Sequence, residues 1–364
     1  MNVPPQPSLF LGEVLDTVAG YPCLYKYTPC DSIDKPLVVF LPGGFHLARI
    51  AYGGHDGCQP KDFLCHWLSR AGFTTLAISY PLESGPAEIM PATCPDFRIR
   101  DWGQQAAEVT KTVIEIHRLS PKVILASWSM GGRVVVPFVR AAQVFQLRVE
   151  LFVSMAATPG LAGLLGNRTS MVHCSNTGYA AAPNLAKRFY KQVQEQSALN
   201  HTTDIISETT FLHQYFGNAP VNLLGYGLRR EVRDLVDDEG LAISDSQVSA
   251  FASFPWIAVL YPNSESDARH SLSDKATWGF IFSSKLVSMV EDAKKSGEYF
   301  GNRWQTIAAH IDAIPDKLST RIEGNHYFFV GERGARETAT AIASHWETYQ
   351  HLRAQLTTLL GIES

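Results

Sequence analysis

The chain has 364 residues and six cysteines, a formal net charge of −4, 45% hydrophobic residues and 18% charged residues. This is the composition of a globular protein with a sizeable core, and it excludes extensive disorder and a disulfide-rich scaffold. The near-neutral charge gives no electrostatic reason to expect nucleic acid or an anionic membrane as a partner. The cysteines form no C-x-x-C pair, so a structural zinc site of the usual spacing is not expected.

The N-terminal segment does not look like a targeting signal. The first twenty residues lack a basic start followed by a long apolar run. No window approaches the about 18 uninterrupted apolar residues of a membrane span. We therefore expect a cytoplasmic protein that has no membrane partner.

Short apolar runs predict the strands of a buried sheet. Residues 37–41, 74–80, 123–126 and 151–153 are apolar on both faces, which is typical of parallel strands covered by helices on both sides. Residues 21–27 alternate more loosely and predict an early antiparallel edge strand.

Helical periodicity separates these runs. Apolar side chains recur every three or four residues in 101–119, with Asp101 as the predicted N-cap, and residues 62–71 predict a shorter helix. Strand and helix alternate, which predicts right-handed βαβ units and an α/β fold with a mostly parallel, doubly wound sheet.

The pattern changes after Gly160. From residue 161 to residue 254 we find no convincing strand, and three stretches look helical: 185–196, 204–215 and 226–237. This segment is too long for a loop, so we expect a helical cap inserted into a core formed by residues 1–160 and 255–364. In the second part of that core, residues 256–260 and 317–323 predict strands, and residues 335–359 predict a closing helix.

The strongest local signal is the segment Ser127-Trp128-Ser129-Met130-Gly131-Gly132. It follows a buried strand and opens a predicted helix over residues 132–144. A serine at such a tight strand-to-helix turn is held with its Oγ exposed, and small neighbours let strand and helix pass closely. The usual pattern is G-x-S-x-G, with Ser127 here in the place of the first glycine. A serine N-cap in an ordinary turn is the alternative reading of the same letters.

With this motif, residues 36–160 and 256–345 resemble the α/β-hydrolase fold superfamily of esterases, lipases and thioesterases. Residues 161–254 take the place of its variable cap. The resemblance implies that Ser129 is the nucleophile. It also implies an oxyanion hole from the backbone N–H groups of Met130 and Gly44, with Phe45 as the near alternative, since Leu41-Pro42-Gly43-Gly44-Phe45 ends the first buried strand. Pro42 replaces the histidine common there.

The resemblance also implies a histidine and an acid that follow the serine in chain order. His326, in Gly324-Asn325-His326 after the last predicted strand, is the expected catalytic base. The acid is expected after the strand at 256–260, where Asp267 is favoured, Glu265 is the alternative and Asp274 is a third choice.

Four further residues lie near the oxyanion segment. His46, His55 and His66 are expected at most at the entrance of the site. Arg49 is expected to pair with an acid, or else to bind a substrate carboxylate.

These residues predict a serine hydrolase that needs neither a metal nor another cofactor. We expect it to cleave a carboxylic ester or thioester of a medium-sized lipophilic substrate through an acyl-enzyme. From the resemblance alone, we expect a role in specialised metabolism. The sequence leaves open an acyltransferase or cyclase, a non-hydrolytic lyase, a catalytically inactive binding protein, and a homodimer.

Overall fold

A computed structural model describes residues 9–30, 34–84, 89–90, 94–164, 173–174, 179–202, 204–229 and 234–362. Its central sheet has eight strands: β1 (Glu13–Val18), β2 (Tyr21–Thr28), β3 (Leu37–Leu41), β4 (Thr75–Ser79), β5 (Lys122–Trp128), β6 (Arg148–Met155), β7 (Trp256–Pro262) and β8 (Ser319–Ile322). They lie in the order β1-β2-β4-β3-β5-β6-β7-β8. All neighbours from β4 to β8 are parallel, so the predicted α/β class is confirmed.

The apolar runs become the central strands. Every residue of β3 and of β4 is buried, since helices cover both faces of a parallel sheet. The prediction that residues 21–27 form an edge strand was wrong in one respect. This strand, β2, is antiparallel to β1 on one side and to β4 on the other, so β1 is the edge. Ala19 and Gly20 both have positive φ, which allows the two-residue turn that adds β1.

Helices flank the sheet: α1 (Leu64–Arg70), α2 (Ile99–His117), α3 (Val135–Val144), α4 (Pro183–Leu199), α5 (Glu239–Ser246), α6 (Ala268–Lys295), α7 (Trp304–Lys317) and α8 (Glu332–Leu360). Short 3-10 segments lie at Ala48–Ala51, Pro60–Asp62, Ser129–Val134, Val221–Leu224, Phe251–Ser253, Glu265–Asp267 and Gly301–Arg303. Helices α5, α6 and α7 were not predicted from the sequence. No helix among the described residues is long and apolar enough to span a membrane.

The start of α2 differs from the prediction. Arg98, not Asp101, is the N-cap residue, and Asp101 lies in the first turn of the helix. Its carboxylate accepts a hydrogen bond from the Arg98 N–H at 3.0 Å. An acid at this position satisfies a free backbone donor and complements the helix dipole, as an N-cap acid would, so the sequence pattern does not separate the two positions.

The predicted cap segment connects two neighbouring strands, because β6 pairs directly with β7. Within it α4 is confirmed, whereas the stretch at 204–215 holds only a short α turn (Glu208–Thr210) and a π turn (Phe211–Tyr215). Other short strand pieces, unpredicted, lie at Glu83–Ser84, His173–Cys174, Ala180–Ala181 and Gly217–Asn218. Helix α5 packs against α2 and α3 of the core.

The predicted helix over residues 226–237 was wrong. Tyr226–Arg229 and Asp234–Asp237 are antiparallel strands that pair with each other. Gly225, with φ 87°, ends the preceding 3-10 turn, and Gly227 has a low helix propensity. The backbone groups of this segment are therefore satisfied by a hairpin.

Candidate active site

Ser129 occupies a strained turn at the carboxyl end of β5. Its φ is 53°, in the left-handed region that non-glycine residues rarely adopt. Trp128 and Met130 on either side are buried, while Ser129 is partly exposed. This is the backbone geometry predicted for an exposed nucleophile between a strand and a helix.

Two glycines let neighbouring loops approach this turn. A Cβ on Gly43 would lie 2.7 Å from Ser129 Cβ and 3.2 Å from Ser129 Oγ. A Cβ on Gly132 would lie 2.7 Å from the Thr158 carbonyl oxygen, and the Thr158 N–H donates to the Ser129 carbonyl at 2.8 Å. The segment after β3, the turn after β5 and the segment after β6 thus meet around Ser129, with no room for side chains at these two positions.

The expected oxyanion residues lie together on the wall of one cavity. Gly44, Phe45 and Met130 all line it, and a Cβ on Gly44 would be 3.3 Å from Met130 Sδ. The glycine turn is fixed from behind, because the Tyr80 hydroxyl donates to the Gly43 carbonyl at 3.0 Å. Among the described residues, no hydrogen bond to protein occupies the Gly44 N–H, which leaves that donor for a ligand.

His46 connects the oxyanion turn to the loop that carries His326. Its Nδ1 lies 2.7 Å from the Gly44 carbonyl oxygen, which can only accept, so Nδ1 carries the proton. Its Nε2 then accepts from the Tyr327 hydroxyl at 2.8 Å. Burial lowers the pKa of His46 to about 3, which keeps the ring neutral in this role.

None of the three histidines lines the cavity that Ser129 and His326 share, contrary to the expectation of an entrance role. His46 is 1% exposed, His55 hydrogen bonds to the Tyr215 hydroxyl, and His66 lines a separate surface cavity. Arg49 forms a fully buried ion pair with Glu13 of β1, as expected of a structural cation.

His326 and Asp267 come together behind the serine. The Nδ1 of His326 lies 2.8 Å from Asp267 Oδ2, in the arrangement that fixes a histidine tautomer. Asp267 immediately precedes α6, in the loop that follows β7. Glu265 is exposed, and Asp274 bonds to His270 at 2.9 Å, so of the three acids considered only Asp267 hydrogen bonds to His326.

The protonation states suit a charged acid beside a neutral base. Burial lowers the pKa of His326, although Asp267 opposes the effect. Burial alone would raise the pKa of Asp267, but the charge and hydrogen bond of His326, with smaller effects from His270 and Arg188, lower it. At neutral pH the imidazole is therefore available as a proton acceptor.

A second histidine–aspartate pair stands beside the first. The His270 and His326 rings are 5.0 Å apart, and both oxygens of Asp274 lie within 3.0 Å of His270 Nδ1. Asp267, His270 and His326 bring potential metal ligands within 4.8 Å of one another. A metal ion there would compete with the existing bond between His326 and Asp267.

The cavity that contains Ser129 and His326 has a volume of about 140 Å³. One face of α4 forms part of its wall through Leu185, Arg188, Phe189 and Gln192. These residues follow the i, i+3, i+4, i+7 spacing of one helix face, a pattern that is visible in the sequence. Arg269, at the start of α6, lines the cavity as well.

Helix α4 is hydrogen-bonded to the loops that carry His326 and Asp267. The side chain of Asn325 donates to the Gln192 carbonyl at 2.8 Å and to Glu195 at 3.0 Å. The Ser266 hydroxyl donates to the same Glu195 carboxylate at 2.9 Å. The neighbours of His326 and of Asp267 are thus attached to one helix of the inserted segment.

Comparisons with known proteins give distant structural likenesses. No known family model and no curated protein sequence matches the chain. A thermophilic esterase from Thermogutta terrifontis aligns at 12% identity over 93% of this chain and 98% of its own, with a TM-score of 0.48. A soluble variant of the monoglyceride lipase from Saccharomyces cerevisiae aligns at 8% identity over 95% and 100%, with a TM-score of 0.46. An alpha/beta hydrolase superfamily protein from Enterococcus faecalis aligns at 16% identity over 95% and 98%, with a TM-score of 0.38.

The fold follows from the chain's own geometry. A strained serine turn joins a central parallel strand to a helix, a glycine segment after β3 stands beside it, and the acid and the histidine come later in the chain. In an α/β hydrolase these parts occur in this order and at these strand ends. The chain is therefore a protein of the α/β-hydrolase fold.

Proposed function

We propose that the protein is a serine hydrolase that cleaves a carboxylic ester or a thioester. One observation carries the proposal: a partly exposed Ser129 at φ 53° shares a cavity with His326, whose Nδ1 is bound to Asp267 at 2.8 Å. A serine N-cap in an ordinary turn requires neither the left-handed backbone nor the buried acid–histidine pair.

The chemistry follows from these positions. Ser129 Oγ attacks the carbonyl carbon while His326 Nε2 takes its proton, and Asp267 stabilises the imidazolium that forms. The backbone N–H groups of Gly44 and Met130 receive the negative oxygen of the tetrahedral intermediate. The leaving group takes the proton from His326, and a water activated by the same histidine then releases the acyl group from Ser129.

Ser129 and His326 are not hydrogen-bonded to each other in the resting site. In enzymes without substrate, catalytic hydrogen bonds are often long and shorten only in the complex. His326 is held for that step by its neighbours, because its carbonyl accepts from the Trp128 indole N–H at 2.8 Å and its ring stacks on Phe189 at 6.1 Å.

The cavity wall supports a lipophilic acyl or alcohol group. Phe45, Leu185, Phe189 and Leu224 supply apolar surface next to the reacting atoms. The volume of about 140 Å³ is well below the roughly 300–1,000 Å³ of sites for drug-sized ligands. We therefore propose that the part of the substrate held inside is short, and that a medium-sized substrate extends through the mouth.

A fluorophosphonate probe tests the nucleophile. We expect labelling of Ser129, mapped by mass spectrometry, and no labelling of Ser129→Ala. The wild-type protein should also hydrolyse activated aryl esters. Labelling at another residue, or none in a folded sample, contradicts the proposal.

The acid is tested in the same assay by two variants of one loop. Asp267→Asn should lower kcat by about three to four orders of magnitude, because the histidine loses the partner that fixes its tautomer. Glu265→Gln removes a charge two residues away from an exposed position and should leave kcat near the wild-type value. If only the Glu265 variant lost activity, the acid would be misassigned.

A further inference from the structure

We propose that the catalytic cavity contains a carboxylate-binding subsite formed by Arg188 and Arg269, so that the preferred substrate carries an anionic group besides the bond that is cleaved. The inference rests on the proposed hydrolase function and adds the substrate class. Both arginines line the cavity that holds Ser129 and His326. They reach it from different elements, Arg188 from α4 and Arg269 from the first turn of α6.

Arg188 is a cation next to the catalytic pair without an acid of its own. Its side chain is exposed at the cavity, and no carboxylate of the described residues lies within ion-pair distance of it. Its charge helps to lower the pKa of both Asp267 and His326, so it lies within electrostatic range of the reacting groups. The neighbouring Lys187 is also exposed on α4 but does not line the cavity. A cation on this helix can therefore point away from the cavity, whereas Arg188 lines it.

Arg269 is half-buried, and its guanidinium donates to the Leu164 carbonyl at 2.5 Å. Burial lowers its pKa, and the two acids near it only partly oppose this effect. Both acids are already engaged, since Asp267 bonds to His326 and Asp274 to His270. No ion pair to Arg269 exists among the described residues.

A neutral substrate would leave both arginines without a carboxylate partner, because Asp267 and Asp274 are each hydrogen-bonded to a histidine. A carboxylate on the substrate would accept charge-assisted hydrogen bonds from guanidinium groups, whose planar fork fits both carboxylate oxygens. In a cavity of about 140 Å³ one ligand contacts several walls at once. The substrate class is therefore a half-ester or half-thioester of a dicarboxylic acid, or an ester of a hydroxy acid.

Two pairs of esters test the subsite. The first pair is an aryl half-ester of adipic acid and its methyl ester, which place or remove the charge on the acyl side. The second pair is 4-acetoxybenzoate and its methyl ester, which do so on the alcohol side. In each pair the release of the phenol is followed, and the ratio of kcat/KM for the charged to the uncharged compound is the measured preference.

We expect the wild-type protein to prefer the charged member of at least one pair about tenfold or more. Arg188→Gln and Arg269→Gln should each lower that ratio about tenfold. Lys187→Gln removes the same charge from the neighbouring exposed position and should leave the ratio and the activity unchanged. The labelling rate of Ser129 by the fluorophosphonate reports whether each variant keeps a folded site.

Calorimetric titration with adipate gives a second readout that needs no turnover. Binding by the wild-type protein, weakened in both arginine variants but not in Lys187→Gln, supports the subsite even if no ester is cleaved, in which case the proposed function alone fails. Hydrolysis of all four esters at Ser129 with no preference for charge, and no binding of adipate, overturns the subsite and leaves the hydrolase proposal standing. Ratios that do not change in the arginine variants also overturn it.

Discussion

His326 has an environment that controls its protonation. The Trp128 ring lies 5.0 Å from it, the Phe189 ring 6.1 Å and the His270 ring 5.0 Å. Burial among these rings disfavours the imidazolium. Asp267 favours it, and the charges of His270 and Arg188 disfavour it further, with the net result that the pKa of His326 is lowered.

The proposed reaction requires a neutral His326, so its pH dependence follows from this shift. We expect the acid limb of kcat/KM to lie below pH 6.5, the ordinary pKa of histidine, because the base stays unprotonated at lower pH than a free imidazole. His270→Gln removes a group that lowers this pKa and should move the limb to higher pH. Rates measured from about pH 4 to about pH 9 in both proteins check the sign. A wild-type limb above pH 6.5, or no movement in the variant, would refute this account.

The sequence located single residues where a motif or the chain order constrains them. Ser129, His326 and the glycine segment were predicted in this way, because each follows a strand, and all three line one cavity. It ranked Asp267 first but left Glu265 and Asp274 open, since all three follow the same strand and only the packed loop selects one to bond to His326. Arg188 was not found, because its position at the cavity depends on how α4 docks on distant loops.

At the scale of elements, the site depends on three loops meeting at the carboxyl ends of parallel strands. The segment after β3 passes the serine turn so closely that Gly43 has no space for a side chain. The backbone conformation of Gly43 is open to other residues, since its φ is not in the left-handed region. Glycine is therefore required at position 43 because two loops touch there, and not because of its backbone freedom.

Gly43→Ala should abolish activity while the protein remains folded. The new methyl group would lie 2.7 Å from Ser129 Cβ, so the two loops must separate and the N–H groups proposed as oxyanion donors must move. Removing one oxyanion donor costs about 100-fold to 1,000-fold in kcat, and we expect a loss of at least that size. Gly279→Ala is the matched control, because Gly279 belongs to helix α6 and a Cβ added there meets nothing within 4 Å. Near-normal turnover in Gly43→Ala would show that the loops adapt.

The strands whose side chains are fully buried were predicted well. The segment that is held by pairing between its own two halves was predicted poorly. The fully apolar runs became β3, β4, β5 and β6, since only a covered parallel sheet suits them. At 226–237, two short strands instead pair with each other, and helical periodicity does not report such a pairing between neighbouring stretches.

At the scale of the whole molecule, a buried ion pair joins the N-terminal hairpin to the segment that carries the oxyanion turn. Glu13 of β1 accepts two hydrogen bonds from Arg49, at 2.8 Å and 2.7 Å, and one each from the Tyr52 hydroxyl at 2.6 Å and the Phe10 N–H at 2.8 Å. Both charged side chains are 0% exposed. With four hydrogen bonds to its carboxylate, Glu13 fixes the N-terminal hairpin against the segment that carries Arg49.

Glu13→Gln should lower the free energy of unfolding by about 3–5 kcal/mol, because it removes the carboxylate charge that compensates the buried Arg49 guanidinium. Urea unfolding at neutral pH measures the change. Asp292→Asn breaks an exposed ion pair with Lys295 and should change the stability little, since such pairs are well solvated. If both variants changed the free energy of unfolding equally, the buried ion pair would not stabilise the fold as we expect.

The conformation of Ser129 also says something about evolution. A left-handed backbone costs a non-glycine residue about 1–2 kcal/mol, a cost that glycine does not bear. Stability at this one position would therefore favour glycine, whereas the proposed reaction needs the hydroxyl of serine. If the proposed reaction is what retains Ser129, descendants that no longer need the reaction are expected to lose this serine early.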